Sequence, residues 1–155
     1  MKVKDLMTVP ARTCRTGAQL GDAARIMLEE GCGCLAVVDS RGHLAGVLTD
    51  RDVCIATGAR HTSPWEIPVN DAMTKKVFAC LPDDDIDTAL VMMKEHHVRR
   101  LPVIDGTGKP KGLLSIDDLV RNTGIAHGRL STDAVIDVLR HVCTPKAALG
   151  EMANV

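Results

Sequence analysis

Gly46-Val47-Leu48-Thr49-Asp50-Arg51-Asp52 returns 66 residues later as Gly112-Leu113-Leu114-Ser115-Ile116-Asp117-Asp118. Each stretch runs glycine, two aliphatics, a hydroxyl residue, two variable residues, then aspartate. Working outward at the same offset, without a gap, Val3-Lys4-Asp5-Leu6-Met7-Thr8 meets Val69-Asn70-Asp71-Ala72-Met73-Thr74. Cys14 meets Cys80, Leu35 meets Leu101, Asp39 meets Asp105 and Gly42 meets Gly108. The chain is a tandem repeat. Half a chain of this size buries too little surface to be stable alone, so each copy is expected to pack on the other. Function is to be sought where the copies agree and where they part.

Leu20, Ala23, Ala24, Met27 and Leu28 recur with helical spacing, and Gly31 supplies a C-terminal glycine. Ile86, Ala89, Leu90 and Met93 repeat the pattern, with Asp83, Asp84 and Asp85 expected in the first turn, at the positive end of the helix dipole. Leu35-Ala36-Val37-Val38 and Leu101-Pro102-Val103-Ile104 read as strands, followed by glycine turns and a second strand ending at Leu48 or Leu114. A shorter helix is expected from Thr49 and from Ser115. With short extended pieces at Ala11–Cys14 and Val77–Cys80, the fold class is α/β, built from two β-α-β-β-α repeats. Residues 1–57 make the first repeat, 58–68 a linker punctuated by glycine and proline, and 69–122 the second repeat. The extension 123–155 holds a loop over Gly124–Leu130, then one amphipathic helix marked by Val135, Val138, Leu139 and Val142. That helix has no counterpart in the first copy, and reads as a cap on the body or a dimer contact. The end from Thr144-Pro145 onward is expected to fray.

Apolar residues make up 45% of the chain, yet it holds one Trp, one Phe and no Tyr. The core is therefore aliphatic, and any bound nucleobase sits among aliphatic side chains and backbone. Single-stranded nucleic acid, which needs aromatic platforms in a basic groove, is disfavoured. A net charge of −1 leaves no footprint for a duplex. No stretch has the apolar length of a signal peptide or a membrane span, so a soluble, cytoplasmic protein is expected. Of six cysteines, Cys14 and Cys80 read as small buried side chains. Cys32-Gly33-Cys34, with His96-His97 as partner, is the one grouping that suggests a metal or redox sensor, and it stands as an alternative. Structural zinc asks for wider spacing between paired cysteines, so no metal site is expected. His96-His97 at a helix end most simply faces the last carbonyls. Asp117 and Asp118 point about 100° apart on a helix, with no base or nucleophile beside them, so no catalytic residue is expected.

In the shared motif a strand ends and a hydroxyl residue caps the next helix, whose unsatisfied N–H groups and dipole favour a phosphate. The aspartate in the first turn, acceptor-only when ionised, can take both hydroxyls of a ribose. Thr/Ser-x-x-Asp is also close to an ordinary capping box; its recurrence in register, each time after Gly-aliphatic-aliphatic, favours a ligand.

Asp-x-Met-Thr opening each copy, Leu-Ala-Val-Val-Asp and Leu-Pro-Val-Ile-Asp, and the paired Gly-x-x-Thr/Ser-x-x-Asp give the chain a specific likeness. Over roughly residues 1 to 122 it resembles the paired cystathionine β-synthase (CBS) domains, the Bateman module. The resemblance implies a pseudo-twofold body with two clefts, assembled as a homodimer into a four-repeat disc. It implies an adenosine ligand: AMP, ADP, ATP, S-adenosylmethionine or a dinucleotide such as NAD. Asp52 and Asp118 would hold ribose, Thr49 and Ser115 would face ribose and phosphate, and Ala11 and Val77 would line the adenine pockets. Arg99 and Arg100 would face phosphate, whereas the first copy has Gly33-Cys34 there, so the two sites are expected to be unequal. The module would act without catalysis, as a sensor read by an effector protein that the sequence does not name; a structural adaptor is the other alternative.

Overall fold

Both apolar runs form strands that fold back on the strand after the turn. In the computed structural model, which describes residues 1–123 and 130–144, β1 (Thr13–Arg15), β2 (Cys34–Val38) and β3 (Leu44–Thr49) form one sheet in that order. β1 runs parallel to β2, and β2 antiparallel to β3. β4 (Arg100–Ile104) and β5 (Pro110–Ser115) repeat the antiparallel pair, with the same register shift between Val103 and Ile104 as between Val37 and Val38. Gly42 and Gly108 make the turns at φ +83° and +82°, a region costly for any residue with a Cβ. The expected loop over 124–129 and the tail from 145 lie outside the described residues.

The third strand of the second copy is reduced to one bridge, Cys80 with Val103. Two prolines account for it. Ala36 N–H donates to Arg12 O at 2.9 Å and Thr16 N–H to Val38 O at 3.0 Å, whereas their counterparts Pro102 and Pro82 have no N–H to donate.

A 3₁₀ turn (Val3–Asp5) and six α-helices complete the described chain: α1 (Leu20–Glu30), α2 (Asp50–Arg60), α3 (Val69–Ala72), α4 (Ile86–His96), α5 (Ile116–Arg121) and α6 (Thr132–Cys143). Gly31 closes α1 at φ +60°, as expected. The expectation of a shorter helix after each hydroxyl residue fails in the first copy: α2 spans 11 residues, as α1 does. It holds for α5, with 6 residues, because Asn122 Nδ2 takes the Asp118 carbonyl that a continuing helix would need. The aspartates before α4 are also placed differently. Asp85 is the N-cap and Asp87 is the acid of the first turn, while Asp83 and Asp85 pair with Lys4 and Lys2 at 2.6 and 2.9 Å. The two histidine rings leave the carbonyls that end α4: His97 faces His141 O of α6 at 3.0 Å, and His96 stacks on Phe78.

Those lysines belong to the opening segment of the first copy, which packs on the second. Val3 N–H donates to Asp84 O, Thr8 and Leu113 exchange both backbone bonds, and Val3 is buried among Ile86, Met93, Leu101 and Leu114. The exchange is reciprocal. Thr74 and Val47 swap both backbone bonds, and Ile67 and Val69 are buried with Leu20, Leu35 and Leu48 of the first copy. A Cβ on Gly46 would lie 2.9 Å from Thr74 O and 2.8 Å from Met73 Sδ; one on Gly112 would lie 2.8 Å from both Thr8 O and Met7 Sδ. The glycine of one motif thus exists to admit the Met-Thr of the other.

α6 lies on α4 and α5, burying Val135, Val138 and Val142 in the second core, with Lys94–Asp137 at 2.8 Å beside them. It is a cap on the second repeat. Leu20 and Met27 of α1 are buried inside the first repeat. The large apolar side chains exposed on the helices there are Leu28 (83%) and Ile55 (54%).

Candidate functional site

Because the opening segment crosses to β5, it forms one wall of a cleft whose other wall is the second motif. The cleft, about 290 Å³, is lined by Thr8, Pro10, Ala11 and Arg12, by Cys32–Cys34 at the start of β2, and by Arg100, Ser115, Asp117, Asp118 and Arg121. Ala11 is fixed there by its N–H bond to Lys111 O at 3.0 Å. Four expected residues therefore meet: Ala11, Ser115, Asp118 and Arg100. Arg99, the residue just before β4, does not line this cleft. Its Nη2 lies 3.8 Å from Cys143 Sγ, on the side of a smaller cavity under α6 that also reaches Arg100, Ser115 and Asp117. Thr49, Asp52 and Val77 do not line this cleft; Thr49 ends β3, where Thr74 runs beside Val47.

Each motif forms a full capping box, which fixes its aspartate. Ser115 N–H and Oγ–H donate to Asp118 Oδ2 at 2.8 and 2.5 Å, and Thr49 N–H and Oγ–H donate to Asp52 Oδ2 at 2.8 and 2.7 Å. Beyond that the two differ. Asp118, 4% exposed, also receives Thr8 Oγ–H at 3.0 Å and Arg121 Nη2–H at 2.6 Å on Oδ1. Asp52 Oδ1 accepts no bond among the described residues. Thr8 and Arg121 were not singled out from sequence. Thr8 sits in the repeated Met-Thr, and Arg121 one helical turn beyond Asp118, so both carried a readable signal.

The charges lining the cleft are largely paired. Arg12 binds Glu30 at 2.8 Å and Arg121 binds Asp118, while Arg100 has no ion-pair partner among the described residues. Burial pushes the Cys34 thiol up to about 11, with Arg100 pulling the other way; burial also takes Cys14 and Cys80 to about 11. These three are inert thiols at neutral pH. Cys32, Cys34, His96 and His97 do not converge, and no three His, Cys, Asp or Glu residues among those described are grouped to hold a metal ion. No helix among the described residues is long and apolar enough to cross a membrane.

A family model for the CBS domain matches residues 3–57 and again 69–123. The chain belongs to the CBS domain family. Among relatives, the CBS domain-containing protein YhcV of Bacillus subtilis is 32% identical over 77% of this chain and 84% of its own length. A homoserine O-acetyltransferase of Methanococcoides burtonii is 32% identical over 79% of this chain, which spans only 24% of that enzyme. In fold, this CBS pair is similar to the CBS domain pair of protein MJ0100 in complex with 5′-methylthioadenosine and S-adenosyl-L-methionine. That likeness has a TM-score of 0.71 at 24% identity and covers 80% of this chain and 100% of that one. A CBS domain protein from Pyrobaculum aerophilum complexed with AMP has a TM-score of 0.71 at 17% identity, covering 90% and 99%.

Proposed function

We propose that this CBS pair is a non-catalytic regulatory module that binds an adenosine-containing ligand between its repeats and signals to a partner protein by a change of conformation. The observation that carries the reading is the meeting of Ala11 from one repeat with Ser115 and Asp118 from the other, in a single cleft that Arg100 also lines. A ligand bridging these residues touches both repeats, so its binding energy acts on the contact between them. The ligands of the two structural neighbours share only adenosine, which is the part that an aliphatic wall and a ribose-facing carboxylate would hold. In this reading Asp118 and Asp52 take ribose hydroxyls, Ser115 and Thr49 lie beside them, Ala11 and Val77 flank adenine, and Arg100 meets phosphate. Arg99, turned to α6, is left out. The module would work in the cytoplasm as a twofold dimer.

Ribose recognition is the testable core. A site built to hydrogen-bond two hydroxyls rejects an analogue lacking them, so 2′,3′-dideoxy-AMP should bind at least about tenfold more weakly than AMP, or ~1.4 kcal/mol. Calorimetric titration showing equal affinities would overturn the reading.

A further inference from the structure

An ionised carboxylate offers about four acceptor positions, and on Asp118 all are taken: two by Ser115, one by Thr8 and one by Arg121. On Asp52 only the two from Thr49 are taken among the described residues: the counterpart of Arg121 is Ile55, and Thr74, the counterpart of Thr8, makes no bond to Asp52. A vicinal diol can therefore dock on Asp52 Oδ1 directly, but on Asp118 it must displace Thr8 and Arg121. The two displaced donors are not equal. Thr8 gives a neutral hydrogen bond that a ribose hydroxyl replaces in kind. Arg121 gives a charge-assisted one, about twice as strong, which a neutral hydroxyl does not replace.

We propose that Arg121 makes the Asp118 cleft selective for phosphorylated adenosine ligands, by holding the ribose-binding oxygen until a phosphate is offered to its guanidinium in exchange. The inference rests on the adenosine reading above and names the class of ligand within it. Asp118 is buried and needs donors on every oxygen, which the diol supplies. Arg121 is on a flexible side chain, 65% exposed, lining the same cleft, and can turn from Oδ1 to an anion without moving α5. A nucleotide thus leaves both charges partnered. Adenosine or 5′-methylthioadenosine strips Asp118 of its cation and gives Arg121 nothing. S-adenosylmethionine adds a sulfonium charge beside the released guanidinium and beside Arg100. The selective element lies outside the shared motif, in a residue that only the second repeat carries.

The test isolates this cleft with an Asp52→Asn background and titrates AMP, adenosine and S-adenosylmethionine calorimetrically against three proteins: Arg121 retained, Arg121→Gln and Arg121→Lys. With Arg121 retained, AMP should bind more tightly than adenosine by at least roughly tenfold, and S-adenosylmethionine most weakly. Arg121→Gln should tighten adenosine and weaken AMP, so that the preference narrows to what Arg100 alone supplies. Arg121→Lys, which keeps the charge, should restore most of the preference and guards against a folding defect in the glutamine protein. An unchanged AMP-to-adenosine ratio in Arg121→Gln overturns the role given to Arg121 while adenosine recognition stands. Parallel weakening of both ligands also overturns it, since Arg121 would then only hold Asp118 in place. Binding of none of the ligands by any of the three proteins overturns this inference, and binding of none by the parent chain with Asp52 intact overturns the adenosine reading as well.

Discussion

The two repeats share a motif but use its aspartate differently. Asp52 keeps one carboxylate oxygen without a partner among the described residues, whereas Asp118 is saturated by Ser115, Thr8 and Arg121. Their outer faces differ as well, since α6 covers α4 and α5 while Leu28 and Ile55 of the first repeat face solvent. What is alike in both is steric: a glycine under a crossing Met-Thr, an αL residue ending the first helix, a hydroxyl cap. What differs comes from single residues outside those constraints, such as Ala36 against Pro102 and Ile55 against Arg121. Duplication preserved the packing frame and left the side chains at the clefts free to diverge.

If the crossing is equally tight in both halves, filling either glycine should do equal damage. Gly46→Val and Gly112→Val each push a side chain against a backbone carbonyl that cannot retreat without unpairing the segment it belongs to. A loss of about 3 kcal/mol is expected in each, the upper end for overpacking a closed site. Gly58→Ala, in α2 with nothing within 4 Å, should instead stabilise by about 0.5–1 kcal/mol. Urea unfolding of the three proteins checks this. Damage in one repeat only would show that the reciprocal exchange is not symmetric.

The cap is the next contrast. Val138 is fully buried between α6 and the second core, and Val138→Ala removes two methyl groups from a packed site. About 2 kcal/mol should be lost, transfer and cavity terms together. Val91→Ala, on the exposed face of α4, should change stability by less than about 0.5 kcal/mol. Equal, small effects would mean that α6 contributes little to the second repeat, and that the two helical faces are alike after all.

Much of this was legible in the chain. A gapless offset of 66 residues revealed the duplication, and apolar spacing located both helix–strand–strand units and α6. Ala11, Ser115, Asp118 and Arg100 were named, and they do meet. The crossing itself was not legible, because Val3 and Val69 would be equally buried in their own repeat or in the other. Asp83 and Asp85 looked like helix-dipole acids for the same reason: their partners Lys2 and Lys4 lie more than 75 residues away along the chain. Pro102 was read as a motif residue, while its physical effect is the N–H it cannot give to a third strand. Arg99 and Arg100 were indistinguishable in sequence; the strand sends one toward Cys143 and the other into the cleft.

The smallest effect is expected where the two crossings differ in charge. Lys2–Asp85 and Lys4–Asp83 fasten the opening segment to the second repeat, whereas the counterpart positions hold Pro68, Asn70, Gly17 and Gln19, with no charge at all. These pairs are exposed, and such pairs are weak and screened by salt. Hydrogen bonds from the lysines hold the Asp83 and Asp85 carboxyls below their ordinary value of 3.8. A depressed carboxyl pKa stabilises the folded chain above the unfolded value, and that contribution fades as pH falls through the folded one. The lysines are raised above 10.5, so their share is present below that value and lost as pH climbs past it. A Lys2→Ala, Lys4→Ala double variant should therefore melt slightly lower than the parent between about pH 4 and pH 10. The gap should close in acid and at about 1 M salt, where the screening length is roughly 3 Å. Asp39, Asp105 and Asp137 keep depressed carboxyls in both proteins, so an acid slope remains in each and only the difference between the melting curves is diagnostic. A gap that persists unchanged at low pH would mean that the lysine stems, packed along the crossing segment, matter more than their charges. The two crossings would then differ in shape rather than in electrostatics.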